Sequence, residues 1–371
     1  MKNLLSAVFF LFSLFVVGQE HTHQNSRPLT FPDIPGYKSI KTDLHMHTVF
    51  SDGNVWPNIR VQEALRDNLD VISLTEHLEY QPHSEDIPHP DRNRSYEIAL
   101  KEAADHDLLI VHGSEITRDA PMGHNNAVFI EDANPILQDK AENAFTEAKK
   151  QGAFVFWNHP AWYAQNPNGN PILSEFQKER INKGELHGIE VINMTDYAEE
   201  SLTLALENNL TIMGTSDVHG LIDWDYTEKG NHRPITLVFA KEKSIPSVKE
   251  ALFAGRTVAV YNDLMVGREE FLVPLLQASL KVEKANYAGN SNVLEIALTN
   301  LTSSDLLFQN ESEYTFYDSS PVFEIGAGQT KTLHLKTLER KTSVDLKLKA
   351  LGCFVAPKVQ PVVTWTVPIK Q

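Results

Sequence analysis

Apolar residues in the first two thirds of the chain gather in short runs separated by stretches of helical period. The runs Lys41–His45, Val71–Leu74, Leu108–Val111, Ala127–Ile130, Phe154–Trp157, Ile189–Ile192, Thr211–Met213, Ile235–Phe239 and Thr257–Tyr261 predict strands. Between them Val61–Leu69, Tyr96–Ala104, Ala141–Lys150, Glu200–Leu206 and Val248–Ala254 predict amphipathic helices. Such alternation argues for a largely parallel sheet, and seven or more units over about 230 residues argue for a barrel rather than a small open sheet. From about Leu275 the pattern changes to short alternating runs at Leu280–Val282, Val293–Leu298, Tyr314–Tyr317, Lys331–Lys336, Val344–Leu348 and Val362–Val367. Turn signals such as Ala288-Gly289-Asn290 separate them, as in a small antiparallel sandwich. The expected organisation is an α/β barrel over residues 37–274 followed by a β-sandwich domain over 275–371.

Ahead of the barrel, Lys2 is followed by an apolar run from Leu4 to Val17 that Gly18 and Gln19 end. A short positive segment, an apolar segment and a small residue at the cut describe a signal peptide over 1–18, too short to span a membrane comfortably. Residues 19–36, rich in Pro, His, Gln and Ser, read as a linker. The expectation is a periplasmic or secreted protein with no integral membrane span after cleavage.

Composition narrows the function. With 33 basic and 49 acidic residues the net charge is −16, which disfavours long nucleic acid as a partner because a phosphate backbone needs a basic face. From Gln277 onward 10 basic and 9 acidic residues nearly cancel, so the negative charge sits in the barrel block. Cys353 is the only cysteine, which excludes an internal disulfide and a CxxC zinc site. Oligomeric state is not legible.

Candidate chemistry lies at strand ends. The first strand leads into Thr42-Asp43-Leu44-His45-Met46-His47-Thr48 and then Ser51-Asp52-Gly53. Residues two apart in a strand share a face, so His45 and His47 can reach one ion, and Asp52 can fold back toward it. Later runs lead into Thr75-Glu76-His77, Gly113-Ser114-Glu115, Asn158-His159-Pro160 and Ser216-Asp217-Val218-His219, while His124 precedes its run. In a β/α barrel the C-terminal strand ends form the active-site mouth. Six histidines and three carboxylates converging there are a natural donor set for Zn, Mn or Fe. The pair His21 and His23 also matches HxH, but no strand precedes it and it reads as incidental.

This order of motifs, "TDLHMHTVFSDG", "TEH", "GSEIT", "NHP" and "SDVH", resembles the PHP family, the polymerase and histidinol phosphatase superfamily, over about residues 37–265. The resemblance implies a distorted (β/α)7 barrel, two or three divalent ions, and hydrolysis of phosphoesters. Carried over by position, His45 and His47 would share one ion with Glu115 and Asp217. Glu115 would bridge to a second ion held by His124 and His159, and Asp52, His77 and His219 would hold a third. The β domain resembles that of secreted PHP-like hydrolases.

The expected activity is hydrolysis of small phosphate esters, diesters in preference to monoesters, by a hydroxide bridging two ions. Asp217 or His219 would move the proton; either is open at this stage. Arg118 and Arg233 are candidate phosphate contacts by their guanidinium forks. Asp43 is either a support for a ligand histidine or a strand cap. Residues 78–94 read as a specificity loop in which His83 and His89 face solvent. Trp157 reads as core, and Trp162 and Tyr163 as possible stacking partners for a leaving group. The competing classes are a metal-dependent amidohydrolase, which also begins with HxH, and a non-catalytic surface-binding protein.

Overall fold

The computed structural model describes residues 28–287 and 289–369. The expected signal segment and the start of the expected linker lie outside them. Residues 28–36 pack against the body: Leu29 is fully buried, its amide donates to Asp67 O, and the Ser303 amide donates to Thr30 O.

The first block holds strands β1 (Lys38–Asp43), β2 (Val71–Leu74), β3 (Leu109–Ile116), β4 (Asn125–Val128), β5 (Phe154–Trp157), β6 (Gly188–Asn193), β7 (Asp196–Tyr197), β8 (Thr211–Thr215), β9 (Ile235–Ala240), β10 (Thr257–Tyr261) and β11 (Leu264–Gly267). Helices α1 (Pro57–Arg66), α2 (Arg94–Glu102), α3 (Ala141–Lys150), α4 (Glu175–Asn182), α5 (Glu199–Glu207), α6 (Ile222–Asp225), α7 (Ile245–Phe253) and α8 (Glu269–Ser279) connect them. Strands such as VISL, FVFW and ITLVFA are buried at every position, as expected where a sheet is covered on both faces.

The sheet curls. β1, β2 and β3 are parallel neighbours, β5, β6 and β8 are parallel neighbours, and β4 runs antiparallel between β3 and β5. Beyond β8 the chain returns to β1: the Asp217 amide donates to His45 O at 2.9 Å and the His47 amide to Val218 O at 3.0 Å. β9 and β10 continue the sheet antiparallel on the other side of β1. Gly214 permits β8 to lie against them, because a Cβ there would sit 2.9 Å from both Ile235 O and Ala259 Cβ. Thr236 Oγ1 bonds both the amide and the carbonyl of Gly214 in that gap. The result is a mixed α/β barrel-like sheet rather than a regular β/α repeat, since no helix separates β3 from β4.

The second block holds β12 (Leu280–Tyr287), β13 (Val293–Asn300), β14 (Leu306–Asn310), β15 (Val322–Ile325), β16 (Thr330–Lys336), β17 (Ser343–Ala350), β18 (Cys353–Phe354) and β19 (Val362–Pro368). Two antiparallel sheets, β12-β13-β16 and β15-β14-β17-β19, face each other through alternating buried positions. The expected strand at 314–317 is instead a loop: Tyr314 and Phe316 point into the core, but Phe316 makes only an isolated bridge to Leu335. Sandwich and barrel are joined by more than the chain. β18 pairs in parallel with β11, and Trp365 Nε1 donates to Gln277 O at 3.2 Å.

Candidate metal centre

The barrel mouth gathers all nine residues that the strand-end pattern selects. His45 and His47 leave the end of β1 with their Nε2 atoms 3.1 Å apart. Asp217, beyond β8, places Oδ1 3.1 Å from His45 Nε2 and 3.2 Å from His47 Nε2. Glu115, fully buried on β3, places Oε2 3.0 Å from His45 Nε2 and 3.5 Å from His47 Nε2. Its other oxygen lies 2.7 Å from His124 Nδ1 and 3.0 Å from His77 Nδ1. Asp52 faces His77 Nε2 at 3.4 Å and His219 Nε2 at 3.2 Å. His159 Nε2 is 3.8 Å from Asp217 Oδ2.

His124 looked out of place in the sequence because it precedes its strand. β4 runs antiparallel, so its beginning lies at the same mouth as the ends of its neighbours. His159 and Asp217 hold positive φ, 28° and 49°, a backbone region that non-glycine residues occupy at a cost and that clusters at functional sites.

The donor atoms form four groups: His45, His47, Asp217; His45, Glu115, His159; His77, Glu115, His124; and His47, Asp52, His77, His219. The first holds three of the four residues that the resemblance implies for one ion, with Glu115 outside it, and the last holds Asp52, His77 and His219 together with His47. For the middle set, Glu115 and His124 meet, but His159 groups with His45 instead.

The far side of several imidazoles is held. His45 Nδ1 donates to Glu190 Oε1 at 2.7 Å, while His77 turns both nitrogens to the cluster, Nδ1 lying between Glu115 Oε1 at 3.0 Å and Thr117 Oγ1 at 2.6 Å. His219 Nδ1 donates to the Asp217 carbonyl at 2.9 Å, and His159 Nδ1 lies 3.2 Å from the Gln165 amide. Fixing one nitrogen aims the other into the cavity, which is how metal-binding histidines are oriented. The donor set, the convergence and these supports fit divalent cations.

Electrostatics interleave acid and base. Burial opposes charging His45, yet Asp217 and Glu190 outweigh it and hold its pKa well above the usual imidazole range. Burial opposes charging His77 too, but Glu115 and Asp52 push its pKa up to about 11. Burial would raise Glu115, and His77 and His124 hold it well below the usual carboxylate range. Burial would likewise raise Asp217, and His45 and His47 hold it down. At His159 burial prevails and the pKa falls. Cations bound here would take the place of protons that balance these carboxylates.

Glu190 belongs to no motif and was not anticipated. It is buried on β6 and also accepts from Thr215 Oγ1 at 2.5 Å, the His159 amide at 2.6 Å and Asn193 Nδ2 at 2.9 Å. Its only sequence signal is an acidic residue inside the apolar strand GIEVIN. Glu76 shapes the first loop by accepting from the amide and hydroxyl of Thr48 and from Ser51 Oγ.

Neither expected phosphate contact is in the cavity lining. Arg233 is buried and paired with Asp67 at 2.8 Å and Asp43 at 3.3 Å. Arg118 pairs with Glu79 at 2.8 Å and donates to Gln138 O. Asp43 touches no ligand histidine; it accepts from the Ser216 amide and hydroxyl. His89 does not face solvent but is buried, with Nε2 2.8 Å from Phe50 O. A cavity of about 680 Å³ opens over the cluster, and among the described residues no lysine or arginine lines it.

An Ig-like domain family matches residues 280–366, the span of β12 to most of β19. No curated protein matches the chain. Among solved structures, a two-domain protein from Bacteroides vulgatus containing a predicted PHP-like metal-dependent phosphoesterase is 38% identical, over 93% of this chain and 99% of that one, with a TM-score of 0.84. A protein from Bifidobacterium adolescentis assigned as a metal-dependent phosphoesterase is 17% identical over 50% of this chain and 90% of its own, with a TM-score of 0.39. An amidohydrolase from Chromobacterium violaceum is 15% identical over 48% and 87%, with a TM-score of 0.36. Likeness at the level of the last two decides nothing about chemistry.

Proposed function

This chain belongs to the PHP-like metal-dependent phosphoesterases, and from that premise we propose that it hydrolyses small phosphate esters, diesters in preference to monoesters, at the barrel mouth. The observation that carries the proposal is the convergence of six imidazoles and three carboxylates in overlapping groups at one barrel mouth. His45, His47, Glu115 and Asp217 would hold one divalent ion, Glu115, His124 and His159 a second, and Asp52, His77 and His219 a third. Mn, Zn or Fe ions bound there would polarise the phosphoryl oxygens and lower the pKa of water.

The protein's own groups set the rest. Glu190 keeps His45 turned inward, and Thr117 sits between His77 and Glu115, contacting both. Of the two groups expected to move a proton, Asp217 is enclosed by His45 and His47, whereas the His219 side chain is 35% exposed at the opening. We therefore assign the leaving-group proton to His219 in the two-ion state, where its Nε2 holds no metal and can carry the proton while the Asp217 carbonyl orients the ring through Nδ1. Among the described residues no lysine or arginine lines the cavity, and a monoanionic diester needs less compensating charge there than a dianionic monoester. The same lining gives no support to an amidohydrolase built on a lysine ligand. The signal pattern at 1–18 supports a periplasmic or secreted location.

The test is hydrolysis of bis(p-nitrophenyl) phosphate and p-nitrophenyl phosphate by the manganese-loaded protein. The diester should turn over faster, and His47→Ala should lose at least about a hundredfold in kcat/KM, given what a metal-bound nucleophile contributes. No turnover of either ester at full metal occupancy would overturn the proposal.

A further inference from the structure

The cavity has two unlike halves. Its floor is the ligand cluster; its rim is built from large apolar side chains left open to solvent. Tyr80 is 53% exposed, Trp162 41%, Tyr163 73% and Met194 43%. Exposed aromatic groups are ordinary when scattered, but these four line one opening.

The aromatic side chains are seated against the cluster. The Trp162 ring lies 5.3 Å from that of His159 and 5.7 Å from that of His124, edge to face in both cases. The Tyr80 ring lies 5.9 Å from His77, and Tyr163 stands 5.9 Å from Trp162. The segment that carries Trp162 is held from below. The Trp162 amide donates to His159 O at 2.9 Å, and Gln165 contacts both His159 Nδ1 and Trp157 Nε1. Gln165 therefore couples the position of this rim to that of a cluster histidine.

Charge says what the rim can accept. Outside the ligand cluster the lining includes Asp196 and Glu190 and, among the described residues, no lysine or arginine. A second phosphate, a carboxylate or a run of nucleotides extending from the reacting phosphorus would meet carboxylates with nothing to pair it. A flat, uncharged ring would meet aromatic faces and edges, where ring pairs gain affinity beyond the area they bury. Resting on the phosphoesterase reading, we propose that Tyr80, Trp162 and Tyr163 form a subsite for an uncharged aromatic group carried by the phosphoester, with Trp162 the residue that sets the preference.

The test separates this inference from the reading beneath it by measuring binding without turnover. Diphenylphosphinate and dimethylphosphinate are monoanions that share the diester's tetrahedral PO2 group and carry P–C bonds in place of the ester bonds. Titration calorimetry on the manganese-loaded protein should show the diphenyl compound binding about tenfold tighter, the ratio that corresponds to about 1.4 kcal/mol. Trp162→Ala should bring the two affinities close together, and Trp162→Phe should keep most of the difference. Equal affinities in the unaltered protein, or a ratio that survives Trp162→Ala, would overturn the subsite whether or not esters are hydrolysed. Loss of ester hydrolysis with the binding ratio intact would count against the phosphoesterase reading alone.

Discussion

At the scale of single residues, the site depends on groups that touch no ion. Glu190 fixes His45 through Nδ1 and His159 through its amide, so it sets two donors at once. Glu190→Gln keeps the shape and an acceptor but removes the charge. Competition with a chelating dye should show metal affinity falling about 10–100-fold, the usual cost of losing such a support. Affinity equal to that of the unaltered protein would show that Glu190 only fills space. The nine donors were legible because chemistry needs them at strand ends, where short apolar runs point. Glu190 was not, because it sits inside a strand whose other residues pack. Arg233 stands away from the cavity lining for the opposite reason: a guanidinium near a barrel mouth can turn inward when buried carboxylates await it. Asp43 and Asp67 hold Arg233 in this way.

At the scale of elements, the first loop is the most constrained part of the site. Thr48, Ser51 and Glu76 knit it, and Gly53 closes it against the main chain of His47. A Cβ at Gly53 would stand 2.6 Å from both His47 C and Thr48 N, which are backbone atoms that cannot turn aside. Gly53→Ala should therefore displace His47, lowering stability by about 1–3 kcal/mol, the range for overpacking, and lowering metal content with it. Thermal melting and metal analysis unchanged from the parent would refute that picture of the loop. Most strands could be read from the sequence because their β-branched and aromatic runs are buried on both faces. Helix α4 could not, since EFQKERIN offers only Phe176 and Ile181 as apolar residues and no stripe. Helix α8 contains Pro274 and runs straight into β12, so neither its middle nor its end carries an ordinary stop signal.

At the scale of the whole molecule, one buried cluster runs through both blocks, taking in Met46, Ile235 and Leu275 from the first and Leu294, Val344 and Val367 from the second. With the β11–β18 pairing added, the sandwich is part of the barrel's support rather than an appendage. Calorimetry should accordingly give a single unfolding transition; two well-separated transitions would contradict the shared core. The central claim is that the acidic barrel folds its negative charge around divalent ions. The most direct measurement is the metal stoichiometry of the purified, manganese-reconstituted protein beside Asp217→Asn, by elemental analysis after exhaustive dialysis. At least two equivalents per chain in the parent, with a loss of one or more in the variant, is the predicted result; less than one equivalent in the parent, or full retention in the variant, would contradict it.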